Sequence, residues 1–108
     1  MIYEYRCYTV FPGKMGDLLS RFRDHTMRLF EKHGIKPVGF FTPVISDNSN
    51  QLIWLVEFRD LAHRESAWKA FGSDPEWQKA LEESHKNGII VENVENKILA
   101  PTDFSPLK

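Results

Sequence analysis

Cysteine is almost missing from this chain: Cys7 stands alone among 108 residues. No disulfide can form within the chain, which suits a reducing compartment. No stretch of about eighteen apolar residues is present, so no membrane-spanning helix is expected. The first residues alternate like a strand instead of resembling a secretory signal. An excess of one charge is missing too, with 14 basic against 15 acidic residues and a net charge of −1. Without a basic stripe, nucleic acid is not an expected partner. The metal-binding patterns Cys-x-x-Cys, His-x-His and His-Glu-x-x-His do not occur, nor does the nucleophile elbow Gly-x-Ser-x-Gly. A soluble, cytoplasmic protein is expected, with no membrane insertion, no metal and no flavin, haem or other cofactor.

Apolar residues make up 42% of the chain and charged residues 27%, a globular composition. The length fits one domain over residues 1–108. Residues 2–11, "IYEYRCYTVF", read as a strand. A helix over about 14–33 carries Met15, Leu18, Leu19, Phe22, Thr26, Leu29 and Phe30 on one arc, and Gly34 can end it. A strand over 35–45 contains Pro37 and Pro43, which confine it to a sheet edge or a bulge. "SDNSN" is turn chemistry, and "QLIWLVEF" opens a third strand over 51–59. Asp60 can cap a helix over 61–72. "GSDPEW" restarts a helix over 75–86, with Asp74 and Pro75 or Ser73 and Glu76 as the starting pair. A last strand spans 89–99, and a tail follows at 100–108.

Strand, helix, strand, strand, helix, strand is the split ferredoxin-like order. An α+β fold is expected, with a four-stranded antiparallel sheet, both helices on one face, and strands one and three in its centre. Strand three then poses a problem. Leu52, Trp54, Val56 and Phe58 form one face, but Ile53 and Leu55 make the other face apolar as well. A second copy of the chain is the expected cover for that face, in a sheet-to-sheet homodimer. Half of a standard interface, about 800 Å² and roughly 60% apolar, contributes on the order of 12 kcal/mol before the costs of association. The alternative cover is the C-terminal tail or an extension of the second helix of the same chain.

Tyr3-Glu4-x-Arg6-x-Tyr8 followed by Pro12-Gly13, then Asp74-Pro75-Glu76-Trp77 and Phe104-Ser105-Pro106-Leu107, resemble the NIPSNAP family. The resemblance runs along nearly the whole chain. It implies a dimeric α/β barrel whose paired sheets enclose a cavity. Relatives of that architecture include cofactor-free monooxygenases, haem enzymes and binding proteins, and mitochondrial family members are linked to protein interactions. Family members often have Trp where this chain has Val56, and His or Tyr where it has Trp54, so a cavity shaped by those positions would differ from theirs; Trp54 is itself a ligand-binding candidate.

Glu4, Arg6 and Tyr8 recur at period two and share one face of a central strand, about 7 Å apart at each step. Facing the space between sheet and partner, they would orient a small, partly aromatic or anionic molecule. Arg6 would be the forked donor and Tyr8 the proton donor or acceptor. The bland reading of the same residues is a Glu4–Arg6 ion pair that fixes an interface. Glu57 and Asn96 are candidates to join from neighbouring strands, and His25 from the mouth of the cavity. His33 reads as a core or capping residue, and His63 and His85 as surface residues. Cys7 alternates with the polar row and is expected on the helix-covered face as an inert thiol. Ile53, Leu55, Phe104 and Leu107 are the candidate dimer contacts. The expected function is ligand binding in the dimer cavity, extending to oxidoreductase or isomerase chemistry. A non-catalytic protein-interaction module is the alternative.

Overall fold

A computed structural model describes all residues 1–108. Strand β1 (Ile2–Val10) leads into a long helix made of α1 (Met15–Arg21), a π turn (Phe22–Thr26) and α2 (Met27–Lys32). Strands β2 (Lys36–Phe41) and β3 (Gln51–Phe58) follow, then helices α3 (Leu61–Gly72) and α4 (Pro75–Ser84), and finally β4 (Val91–Leu99). The sheet order is β2-β3-β1-β4, and every neighbouring pair is antiparallel. The fold is therefore α+β and ferredoxin-like, with β1 and β3 central as the pattern of prolines requires.

Alternation along β3 is strict. Leu52, Trp54, Val56 and Phe58 are buried, and the residues between them are half-buried. The buried row meets Leu18, Phe22, Leu29, Phe30, Ala67 and Phe71 from the helices in one core. Burying a large aliphatic or aromatic side chain contributes about 1.5–3 kcal/mol, so this row anchors the helical layer.

Local chemistry sets the element ends. Asp60 caps α3 by accepting a hydrogen bond from the His63 amide. Asp74, not Ser73, caps α4: its carboxylate accepts from the Glu76 amide at 2.8 Å, with Pro75 in the first helical turn. Gly34 takes φ +70 just after α2, a conformation that favours glycine.

Some expected boundaries move. The second strand stops at Phe41 instead of 45, and its pairing with β3 shifts between Pro37 and Gly39, where proline cannot donate to the ladder. The last strand begins at Val91, and α4 ends at Ser84. The first helix is not uniformly α-helical. Across its π turn the Thr26 hydroxyl donates to the Arg21 carbonyl at 3.4 Å, and the Met27 amide donates to the Phe22 carbonyl.

The larger correction concerns the two faces of β1. Arg6 pairs with Trp54 and Tyr8 with Leu52, so Glu4, Arg6 and Tyr8 lie on the side of the buried β3 row, beneath the helices. Cys7 pairs with Ile53 and takes the helix-free side, contrary to expectation. Glu4, Arg6 and Tyr8 therefore do not lie on the helix-free face, where they were expected.

The tail partly covers the helix-free face. The Tyr3 hydroxyl donates to the Lys108 carbonyl oxygen at 2.6 Å. Tyr3, Leu55, Leu99 and Leu107 line a cleft of about 330 Å³ beneath the tail. Phe104 remains 83% exposed and Phe41 59% exposed.

Candidate functional site

A carboxylate buried to 0% exposure is the centre of the site. Glu4 Oε1 accepts from Arg64 Nε at 2.8 Å and from the Trp68 indole N–H at 2.8 Å. Its Oε2 accepts from Arg64 Nη2 at 3.2 Å and from Asn96 Nδ2 at 3.1 Å. Arg6 Nη1 stands 3.5 Å from the same oxygen. Arg64 and Trp68 lie one turn apart on α3, the spacing that brings two side chains to one helix face. Burial alone would raise the Glu4 pKa. The bonds from Arg64, Trp68 and Asn96, with the Arg6 charge, outweigh it and hold Glu4 below the ordinary carboxylate value. Glu4 is thus an ionised anchor whose acceptor positions are taken, and it is ill suited to work as a proton-accepting base.

Two guanidinium groups share this one carboxylate, which leaves a surplus positive charge. Arg64 forms the shorter pair, and its pKa is raised chiefly by the Glu4 bond. Arg6 is held more loosely. Its guanidinium carbon sits 5.7 Å from the Tyr8 ring centre, 5.4 Å from Trp54 and 5.2 Å from Trp68, distances at which ring faces attract a cation. Its Nε is buried and has no acceptor.

Trp54 lies beneath Arg6, 1% exposed. Its ring meets Tyr8 at 5.4 Å, Phe22 at 5.6 Å and Phe40 at 5.8 Å, the last stacked. The Trp54 indole N–H is the second buried donor here without an acceptor. Unpaired buried donors are uncommon, since each costs about 1–3 kcal/mol of lost hydration.

The structure brings Glu4, Arg6, Tyr8, Trp54 and Asn96 together and separates the remaining candidates. Glu57 pairs with Tyr3 on the helix-free face, and its carboxylate meets Lys36 at 3.3 Å. His25 lines clefts against α4, and Glu4, Arg6 and Tyr8 are not among the residues of those clefts. Ile53 and Leu55 lie half-buried on the helix-free face, while Phe104 and Leu107 are exposed in the tail. Sequence reasoning missed both Arg64 and Trp68 as partners of Glu4. The signal was their spacing of four residues on a helix bound to pack against the sheet.

His33, at the end of α2, contacts the Asp74 carboxylate at 2.7 Å, and Lys32 reaches the same oxygen at 2.8 Å. His63 Nδ1 accepts from the Arg59 amide at 3.0 Å. No three His, Cys, Asp or Glu side chains converge as a metal-binding group. No helix is long and apolar enough to cross a membrane.

The NIPSNAP family model matches residues 3–106. NipSnap homolog 3B of Mus musculus is 27% identical over 99 residues, which cover 92% of this chain and 39% of that protein. NipSnap homolog 3A of Homo sapiens is 29% identical over 79 residues, covering 73% of this chain and 31% of the relative. The chain thus spans well under half the length of these relatives. Among solved structures, a NIPSNAP family protein from Agrobacterium tumefaciens superposes with TM-score 0.88 at 30% identity, covering 99% of this chain and 98% of the other. An antibiotic biosynthesis monooxygenase superposes with TM-score 0.58 at 12% identity, covering 94% of this chain and 99% of the other; that likeness concerns the fold alone.

Proposed function

The chain belongs to the NIPSNAP family, and from that premise we propose that it acts as a homodimer binding a small, partly aromatic anion beside Arg6 and Trp54. One observation carries this reading: two buried donors, Arg6 Nε and Trp54 Nε1, lack acceptors on neighbouring strands where a surplus guanidinium charge lies among aromatic rings. A carboxylate or phenolate would satisfy both donors and neutralise the charge, and its aromatic body would pack on Tyr8, Phe22 and Phe40. The approach runs from the β4 side. There Val94 and Ile98, paired with Tyr8 and Glu4, are 44% and 41% exposed on the helix-bearing face. The reading extends to cofactor-independent oxidoreductase or isomerase chemistry, with Tyr8 as the proton donor or acceptor and Glu4 as the group that positions Arg6.

Self-association is the second part of the proposal. Ile53, Leu55 and Tyr5 lie on the helix-free face, where exposed Phe41 pairs with Ile53 and Leu107 of the tail shares a cleft with Leu55; Phe104 of the tail is exposed as well. Packing a second sheet there would bury what the chain's own tail leaves open.

Dense packing around Tyr8 favours a second reading, a non-catalytic interaction module. None of the four principal clefts is lined by Glu4, Arg6 or Tyr8. Calorimetric titration with salicylate and with uncharged salicyl alcohol separates the two readings. The ligand reading expects salicylate to bind wild type at least about tenfold more tightly than Arg6→Ala, a difference of about 1.4 kcal/mol. Equal behaviour of the two proteins overturns the role of Arg6. Absence of any aromatic-anion binding favours the interaction module.

A further inference from the structure

The one buried cation of the chain, Arg21, lies outside the Glu4 cluster and forms no ion pair. Arg21 ends α1 immediately before the π turn, and it is 5% exposed. Its partners are weak. Nη1 donates to Ser84 Oγ at 3.4 Å, a long bond, and the guanidinium lies 5.3 Å from the Trp77 ring centre. Its Nε is buried without an acceptor, and it enters no ion pair. The other buried charges are treated differently. Glu4 accepts from Arg64, Trp68 and Asn96, and Asp74 is held by Lys32, His33 and the Glu76 amide. Buried charges are ordinarily paired, because an unpaired one forfeits its hydration. Burial pushes the Arg21 pKa down, yet guanidinium stays charged at neutral pH.

Arg21 also lines a cleft between the first helix and α4, with a volume of about 240 Å³. Asp17, Asp24 and Glu83 line the same cleft, as do Ser84 and Lys86. A plain anion such as phosphate would share the cleft with three carboxylates, against Lys86 and His25 besides Arg21. A plain amine would suit those carboxylates but leave Arg21 unpaired. A molecule carrying both charges a few bonds apart answers both ends. A π turn beside the cationic residue fits a ligand site, where such turns are frequent.

We propose that the cleft between the first helix and α4 binds a small zwitterion of the amino-acid class, its carboxylate on Arg21 and Ser84 and its ammonium among Asp17, Asp24 and Glu83. This site is distinct from the one beside Arg6, and neither proposal depends on the other.

Calorimetric titration with the protein L-amino acids, and with acetate and ethylamine as single-charge controls, tests the site. At least one amino acid should bind wild type about tenfold or more tightly than acetate or ethylamine does. Arg21→Met keeps an unbranched stem but removes the guanidinium, and it should lower that affinity at least about tenfold. Should Arg21→Met fail to fold, the surface double variant Asp24→Asn with Glu83→Gln carries the same test and should lose affinity for the amino acid but not for acetate. No heat from any amino acid at millimolar concentration overturns the proposal. So does acetate binding as tightly as the best amino acid, or undiminished affinity in the variant that folds. Arg21 would then be satisfied by Trp77 and Ser84 alone.

Discussion

Arg64 on α3 grips Glu4 on β1 with two hydrogen bonds, 2.8 Å from Nε to Oε1 and 3.2 Å from Nη2 to Oε2. Sixty residues apart in the chain, the two join the helical layer to the middle of the sheet. Glu4→Gln keeps the shape but removes the charge that Arg64 and Arg6 share. A loss of about 2 kcal/mol is expected in urea unfolding, below the largest costs of breaking a buried pair because both arginines are partly exposed. A loss below 0.5 kcal/mol, the level of an ordinary surface substitution, would refute the anchoring role.

The same residue sets a pH dependence. The Glu4 pKa in the folded chain lies below its ordinary value of 4.5. The unfolded chain therefore takes up a proton first as pH falls. Stability from Glu4 is complete above that ordinary value and is lost as pH drops toward the folded value. Urea midpoints measured from neutral pH down into the acid range should fall more steeply for wild type than for Glu4→Gln. Parallel curves would contradict this.

Trp54→Phe keeps the aromatic stack and deletes the orphan N–H. With one unsatisfied buried donor fewer, stability should hold or rise by up to about 1 kcal/mol, despite the smaller ring. Salicylate affinity should fall if that N–H receives the ligand. Unchanged salicylate affinity in this variant would remove the indole N–H from the site.

Two readings of the α4 cap differ sharply under mutation. Asp74 accepts from the Glu76 amide and also binds Lys32 and His33. Those contacts, Lys32 first, hold its carboxyl far below the usual carboxylate range. Asp74→Ala should lower the Tm clearly, and Ser73→Ala should leave it nearly unchanged. The reverse order would assign the cap to Ser73.

Dimer formation predicts a response on the helix-free face alone. Leu55→Glu should convert the protein to single chains in analytical ultracentrifugation at micromolar concentration, with the far-UV spectrum retained. Wild type sedimenting only as single chains would remove the proposed interface. Cys7 gives an independent readout of the same region, since burial raises its thiol pKa. Its reaction with a disulfide reagent should be slow in the native protein and rapid in urea.

Period two along "QLIWLVEF" and the prolines at 37 and 43 were enough to place the strands in order, and Asp60 to start α3, but between Asp74 and Ser73 as the cap of α4 the sequence did not choose. These features act over a few residues, so composition and spacing carry them. The polar row of β1 was legible as a row as well, since alternation depends only on the pleat.

Its direction was not. Tyr3, Tyr5 and Cys7 are the more apolar set and read as the helix-covered face, whereas the fold turns fully buried Glu4 and half-buried Arg6 toward the helices. That choice rests on Arg64, Trp68 and Asn96, which lie 60, 64 and 92 residues from Glu4 and satisfy its carboxylate. Hydrophobic pattern predicts burial only when each side chain must stand alone. Partners brought from distant parts of the chain can make a charged residue the inner one, and no local window of sequence contains them.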